Sequence, residues 1–285
     1  MGTQPPSLTG MKSTGALVFF LLCSLSVATA ANTQKKTYYR AHPVAAVRPK
    51  AMSDPVVVNA ASFQPGVSPG GLATVFGQDL TSVAGTVIAN SDPLPLTLGG
   101  VSVLVNGIPA PLFSVAFVDG QDQISFQVPY AAPVGSGAAE VQVFDGNFET
   151  ADIIADSFTE DPGIFVYNGN YAVAVNSTDG SLIGPSNPAI PGEIVVLYTT
   201  GLGPLTLNLR DGYGAPSSPL AYTADPINVI IDGENCTVYF SGLAPGFVGL
   251  YQVNFRLPAD LPPGNLDIQI QTPFVNSSMA TLPSS

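Results

Sequence analysis

From residue 55 to the C-terminus, apolar side chains recur at every second position in short runs broken by Gly, Pro, Asn and Asp. In Val101-Ser-Val-Leu-Val105, the three odd-numbered valines share one face, the period of two that a half-buried strand requires. Ile124, Phe126 and Val128 alternate with Gln123, Ser125 and Gln127, which predicts a strand with the first set inward and the second outward. Val253, Phe255 and Leu257 alternate in the same way with Gln252, Asn254 and Arg256. Asn106-Gly107, Asp119-Gly120, Asp145-Gly146, Asn168-Gly169 and Asp232-Gly233 separate such runs, and these dipeptides tolerate the positive φ of tight hairpin turns. No segment of ten or more residues carries a 3.6-residue apolar stripe with helix caps. The pattern predicts an all-β chain of short antiparallel strands.

The pattern occurs twice. Gln123-Ile-Ser-Phe-Gln-Val-Pro129 returns as Gln252-Val-Asn-Phe-Arg-Leu-Pro258, Asn106-Gly107 as Asp232-Gly233, and Pro69-Gly70 as Pro191-Gly192. Solenoid and propeller units repeat every 20–50 residues or so, and a much longer period means two whole domains of one type. Each copy has the size of an immunoglobulin domain, which favours a sandwich over a barrel. The expected organisation is a β-sandwich at 55–160 and a second at 161–285, divided near Thr159-Glu-Asp-Pro162.

The N-terminus reads differently. Ala16 to Val27 is an apolar run preceded by Lys12 and followed by Ala28-Thr29-Ala30, which reads as a secretory signal over 1–30 cleaved after Ala30. Met1 and Met11 both remain open as the start. The run is shorter than the ~20 residues of a bilayer-spanning helix, so export to the extracellular space or cell surface is expected. Residues 31–54 hold Lys35, Lys36, Arg40, Arg48, Lys50 and the single histidine, His42, and read as a basic, flexible linker. Beyond it the only basic residues are Arg210 and Arg256. An acidic body of this kind has no cationic surface to replace phosphate counterions, so nucleic acid is not an expected partner. With Cys23 in the signal, Cys236 stands alone and no intrachain disulfide is expected.

At this point the residues suggest a relationship. Asn59-Ala-Ala-Ser-Phe63, Pro93-Leu-Pro95, Leu98-Gly-Gly-Val-Ser-Val103, Gln123 to Pro129 and Pro162-Gly-Ile-Phe165 form the first part of the match. It continues through Asn187-Pro-Ala189, Leu197-Tyr-Thr-Thr-Gly-Leu-Gly203 and Gly242-Leu-Ala-Pro-Gly-Phe-Val-Gly-Leu-Tyr-Gln-Val-Asn254. Together they resemble an uncharacterised C-terminal domain family of acidobacterial, Solibacter-type secreted proteins, itself similar to IPT/TIG-like immunoglobulin-type modules. The resemblance implies tandem IPT/TIG-like sandwiches and carries no catalytic residues. This chain departs from the family habit in having the module almost alone.

The chain offers few groups suited to catalysis. Ser-His-Asp or Cys-His catalysis needs a positioned base, and His42 lies in the linker. Cys236 falls at the position of Ala110 when the two turns are aligned, which predicts buried filler. Most carboxylates lie in Asp-Gly turns, where turn chemistry accounts for them. The metal candidates are Asp119 and Asp122, two carboxylates three apart in a loop that could offer oxygens to Ca²⁺. Thr199-Thr-Gly-Leu-Gly203 lacks the phosphate-cradle pattern. For partner contact the candidates are Phe247 and Tyr251, large groups flanked by Gly and Pro as at a loop tip, with Phe247 as a plug of the sandwich end or of the domain junction the alternative. The expected function is a non-catalytic exported module making protein or cell-envelope contacts, without a cofactor. The alternative is a carbohydrate-binding module serving polysaccharide use.

Overall fold

The computed structural model describes residues 54–132 and 137–285. The predicted signal segment, the basic linker up to Ser53 and His42 lie outside the described residues. Within them every regular element is a strand. No helix among the described residues is long and apolar enough to cross a membrane.

Two sandwiches follow one another. In the first, a five-stranded sheet runs Val56–Asn59, Leu72–Gly77, Gln121–Gln127, Leu112–Val118, Thr86–Ile88 in spatial order. Facing it is a four-stranded sheet of Ile108–Pro109, Val101–Val105, Ala138–Asp145 and Phe148–Asp156. Val75, Val115 and Phe126 from one sheet meet Val103, Val141 and Ile153 from the other in a single core. The second sandwich repeats the plan. Gly163–Ile164, Ile194–Thr200, Tyr251–Arg256 and Thr237–Leu243 form one sheet, with Ala174–Asn176 also paired to Ile194–Thr200. The other sheet runs Val166–Tyr167, Tyr171–Ala172, Ala280–Ser284, Gly264–Gln271, Asn228–Ile231, Glu234–Asn235. Leu197, Val253 and Phe255 meet Val229, Ile268 and Leu282 between the layers.

The two copies agree in detail. Asn106-Gly107 and Asp232-Gly233 both have positive φ at both residues (49° and 75°; 50° and 87°), the geometry that lets a two-residue turn follow the strand twist. After each turn a backbone amide returns to the preceding strand, Ala110 to the Val103 carbonyl and Cys236 to the Val229 carbonyl, both at 2.9 Å. Ala110 and Cys236 therefore occupy one position. A bulge falls in the same strand of each copy, at Phe113 and at Tyr239, where the register shifts. Val128 donates to Gly71 and Leu257 donates to Glu193, closing the two copies alike.

Val101, Val103 and Val105 are fully buried, as are Ile124 and Phe126. The predicted outward set of the first copy is corrected, however: Ser125 and Gln127 are buried too. A long loop from the second sandwich, 201–227, covers that end of the sheet, and Gly212 donates its amide to Gln127 Oε1 at 2.7 Å. In the second copy Gln252 and Asn254 are half-buried and Arg256 is exposed.

Candidate contact surfaces and the domain junction

Between the two sandwiches lies a third apolar cluster. Ala60, Ala61 and Leu72 come from the first copy, and Phe165, Val173, Ala244 and Leu250 from the second, with Phe113 and Phe247 packed against it. Phe247 is half-buried here. Tyr251 is not a surface group. It is the first residue of the inner strand Tyr251–Arg256, completely buried, and its hydroxyl donates to the Gly203 carbonyl at 2.8 Å. The Gly and Pro residues around it suggested an exposed tip, but the satisfied phenol keeps the side chain inside.

Polar groups seal the junction. Thr200 Oγ1 accepts the Leu72 amide at 2.9 Å and donates to the Gly249 carbonyl at 3.0 Å. Asp211 accepts the Tyr130 amide at 2.7 Å, and Leu94 donates to the Gly212 carbonyl at 2.8 Å. Burial pushes the Asp211 carboxyl above its usual range, and pushes the Tyr130 phenol up, with Asp211 adding to the latter. Backbone approach is close enough to require glycine: a β-carbon at Gly201 would stand 2.1 Å from the Asp161 carbonyl oxygen.

Asn59 organises the entry to this junction, and sequence reasoning missed its role. Its Oδ1 accepts the Ala61 and Ser62 amides at 2.8 and 3.1 Å, while Nδ2 donates to the Asp161 carbonyl at 2.7 Å and carboxylate at 3.1 Å. Asn176 does the same work in the second copy, accepting the Thr178 amide and donating to the Glu193 carboxylate. The signal was available in the valine-rich strand that precedes each asparagine, Val56-Val-Val-Asn59 and Ala174-Val-Asn176.

The metal candidates part company. Asp119 is exposed at a hairpin tip with φ 52°. Asp122 is 2% exposed, and its Oδ2 accepts the Leu80 amide at 2.8 Å. Burial first, then Asp79 and Asp145, raise its pKa. Asp122 thus fixes the 79–81 loop, and among the described residues no group of three or more His, Cys, Asp or Glu converges as a metal site. Cys236 is half-buried against the second core, and burial, then Glu234, push its thiol up to about 12. A thiol held this high is a poor nucleophile.

Exposed apolar groups are scattered over the surface, and two strands carry some of them. On Phe148–Asp156, Phe148 is 78% and Ile154 71% exposed. Ile154 lies opposite Glu140 and between Asp152 and Asp156 on the outer face. No strand among the described residues pairs with the far edge of this one, although Val67 bridges its C-terminal end, donating to the Asp156 carbonyl at 2.9 Å and accepting the Phe158 amide at 3.0 Å. The second copy differs: its equivalent strand, Ala280–Ser284, carries Tyr171–Ala172 alongside it in parallel. The other aromatic patch follows Thr237–Leu243. Tyr239 is more than half exposed beneath Arg256, 5.8 Å from its ring centroid, and Tyr222 packs on Phe240 at 5.1 Å.

No family model and no curated protein sequence matches the chain, so the kinship with the acidobacterial family remains a resemblance. Solved structures do match at low similarity. The plexin A4 extracellular region is 12% identical with a TM-score of 0.25, covering 83% of this chain and 18% of that one. A titin I9–I11 tandem is 12% identical with a TM-score of 0.20, covering 77% and 62%. Domains 4–9 of the surface layer protein SbsC are 13% identical with a TM-score of 0.26, covering 81% and 31%. The chain therefore spans less than two thirds of each of these three. The tandem sandwich architecture rests on the chain's own sheets and cores.

Proposed function

We propose that this chain is a non-catalytic exported module that makes protein contacts at the cell envelope or outside the cell, through the edge strand Phe148–Asp156. One observation carries the reading: a sheet edge left without a partner strand, bridged by Val67 at its Asp156 end, presents Ile154 and Phe148 to solvent amid Glu140, Asp152 and Asp156. An unpaired edge is a template for an added strand, and its apolar and charged side chains choose the strand. The occupant that fits is an extended segment of a partner protein with alternating basic and apolar residues, and the joined sandwiches hold the edge in place. The high Cys236 pKa accords with a binding role. Capture experiments on envelope and secretome fractions test it, using the mature chain and an I154K/D152K variant as paired baits. A partner retained by the native chain and lost from the variant supports the reading; equal retention by both defeats it.

A second reading has its own observation. Tyr239 under Arg256, beside Tyr222 on Phe240, offers exposed rings of the sort on which sugars stack. A glycan array with native protein and Tyr239→Ala decides it, since sugar binding through this patch requires the ring.

A further inference from the structure

The connection between the sandwiches carries two consecutive acidic residues, and both are drawn into the protein. Asp161 is met by the Asn59 amide. Glu160 has no such partner. It is 3% exposed, and neither carboxylate oxygen makes a hydrogen bond. Its side chain lies so close to Gly203 that a β-carbon there would stand 2.6 Å from Cγ. The groups facing the carboxyl are the Asp225 carboxylate, the Thr272 hydroxyl and the Phe274 amide. Thr272 is already committed, donating to the Val275 carbonyl and accepting the Phe274 and Val275 amides. No cation answers the two carboxylates. Among the described residues the only basic side chains are Arg210, placed over Tyr213, and Arg256, placed over Tyr239.

A carboxylate buried without a hydrogen bond and facing a second carboxylate cannot remain charged, so a proton or a metal ion must neutralise Glu160. Calcium takes six to eight oxygens, and among the described residues no third acidic or histidine side chain joins these two. We propose that buried Glu160 holds a proton beside Asp225 and thereby forms a pH-sensitive latch on the domain junction, closed while the proton is held and loosened when it leaves. Asp225 belongs to the 201–227 loop, whose Asp211 and Gly212 grip the first sandwich. Repulsion at the pair therefore acts on the loop that joins the domains.

The direction follows from the chemistry. Desolvation, then Asp225, hold the Glu160 carboxyl above its ordinary value. The proton's stabilising contribution is complete below the unfolded value of about 4.3 and is lost as pH rises through the folded one. Asp122, Asp161 and Asp211 are raised too, so only the difference between native and variant chains isolates the latch. Melting of the mature chain, E160Q and D225N between pH 4 and 8 tests it. E160Q and D225N should melt level with the native chain at pH 4 and roughly 2–4 °C above it at pH 8, with little further gain in the double variant. Hydrogen exchange at 159–162 and 201–227, corrected for intrinsic rates, should quicken with pH in the native chain only. Parallel melting curves for native and both variants would overturn the proposal. So would a calcium-dependent rise in melting temperature that E160Q removes, which would put a metal ion where the proton is placed.

Discussion

The two sandwiches share turns, bulge and asparagine cap, yet they treat their inner strands differently. In the second copy Gln252, Asn254 and Arg256 look outward as an alternating strand should. In the first, Ser125 and Gln127 are buried, Ser125 against Thr74 and Gln127 under a loop that the second copy extends over it. The edges differ as well, for Ala280–Ser284 is flanked by Tyr171–Ala172 and Phe148–Asp156 is not. A duplicated fold thus keeps its core and spends its variation on loops and edges. The first copy has become the one that is gripped; the second is the one that grips.

The most forceful way to test the shared frame is to hollow each core at the same place. Phe126 and Phe255 are fully buried on equivalent strands. Phe126→Ala and Phe255→Ala should each lower stability by about 3–5 kcal/mol in chemical denaturation. Similar losses support equal frames. A near-neutral result at either position breaks the equivalence.

The next largest effect separates the junction from an ordinary turn. Gly201 and Gly192 both have positive φ, 73° and 86°, so a side chain is strained at either. Only Gly201 also faces a backbone oxygen, the Asp161 carbonyl, while nothing lies within 4 Å of a β-carbon at Gly192. Gly201→Ala should cost about 3 kcal/mol or more, against about 1 kcal/mol for Gly192→Ala. Equal costs would mean the junction yields freely and the two domains are not held together.

Much of this frame was legible in the sequence, and the reasons are local. Alternation at Val101–Val105 fixes which side chains turn inward, and Asn-Gly or Asp-Gly fixes where the chain reverses. The match of Cys236 to Ala110 could be read by counting from the turns, because each turn sets the register of the strand after it. The third cluster could not be read so. Leu72 meets Thr200, and Gln127 meets Gly212, across separations of 128 and 85 residues, with no periodic trace in either segment. Tyr251 was misplaced for a related reason: nearby Gly and Pro resemble a surface loop, whereas a distant carbonyl at Gly203 satisfies its hydroxyl. Glu160 likewise reads as a solvated linker residue until Gly203 and Asp225 are placed beside it.

A finer comparison sets the two asparagines against each other. Removing Asn59 strips the Ala61 and Ser62 amides of an acceptor and leaves the inward-turned Asp161 carboxylate without its donor. Removing Asn176 frees Glu193, which is half-buried and has water within reach. Unsatisfied buried groups bear the full desolvation cost, and partly hydrated ones do not. Asn59→Ala should therefore cost about 2 kcal/mol and Asn176→Ala about 1 kcal/mol. The reverse order would make the cap, rather than the junction, the important role of Asn59.

The smallest effect concerns the one position where the copies differ by a single sulfur. Ala110 is fully buried and Cys236 packs partly buried against its own core, both at the first residue after an equivalent hairpin. If the thiol is only filler, Cys236→Ala converts the second copy to the first at that site and should cost under about 1 kcal/mol. The same argument predicts slow maleimide labelling of the native chain, since a thiol held near 12 offers almost no thiolate at neutral pH. Rapid labelling would show that Cys236 is open to reagents in a way Ala110 is not, and the two positions would then share a backbone without sharing a role.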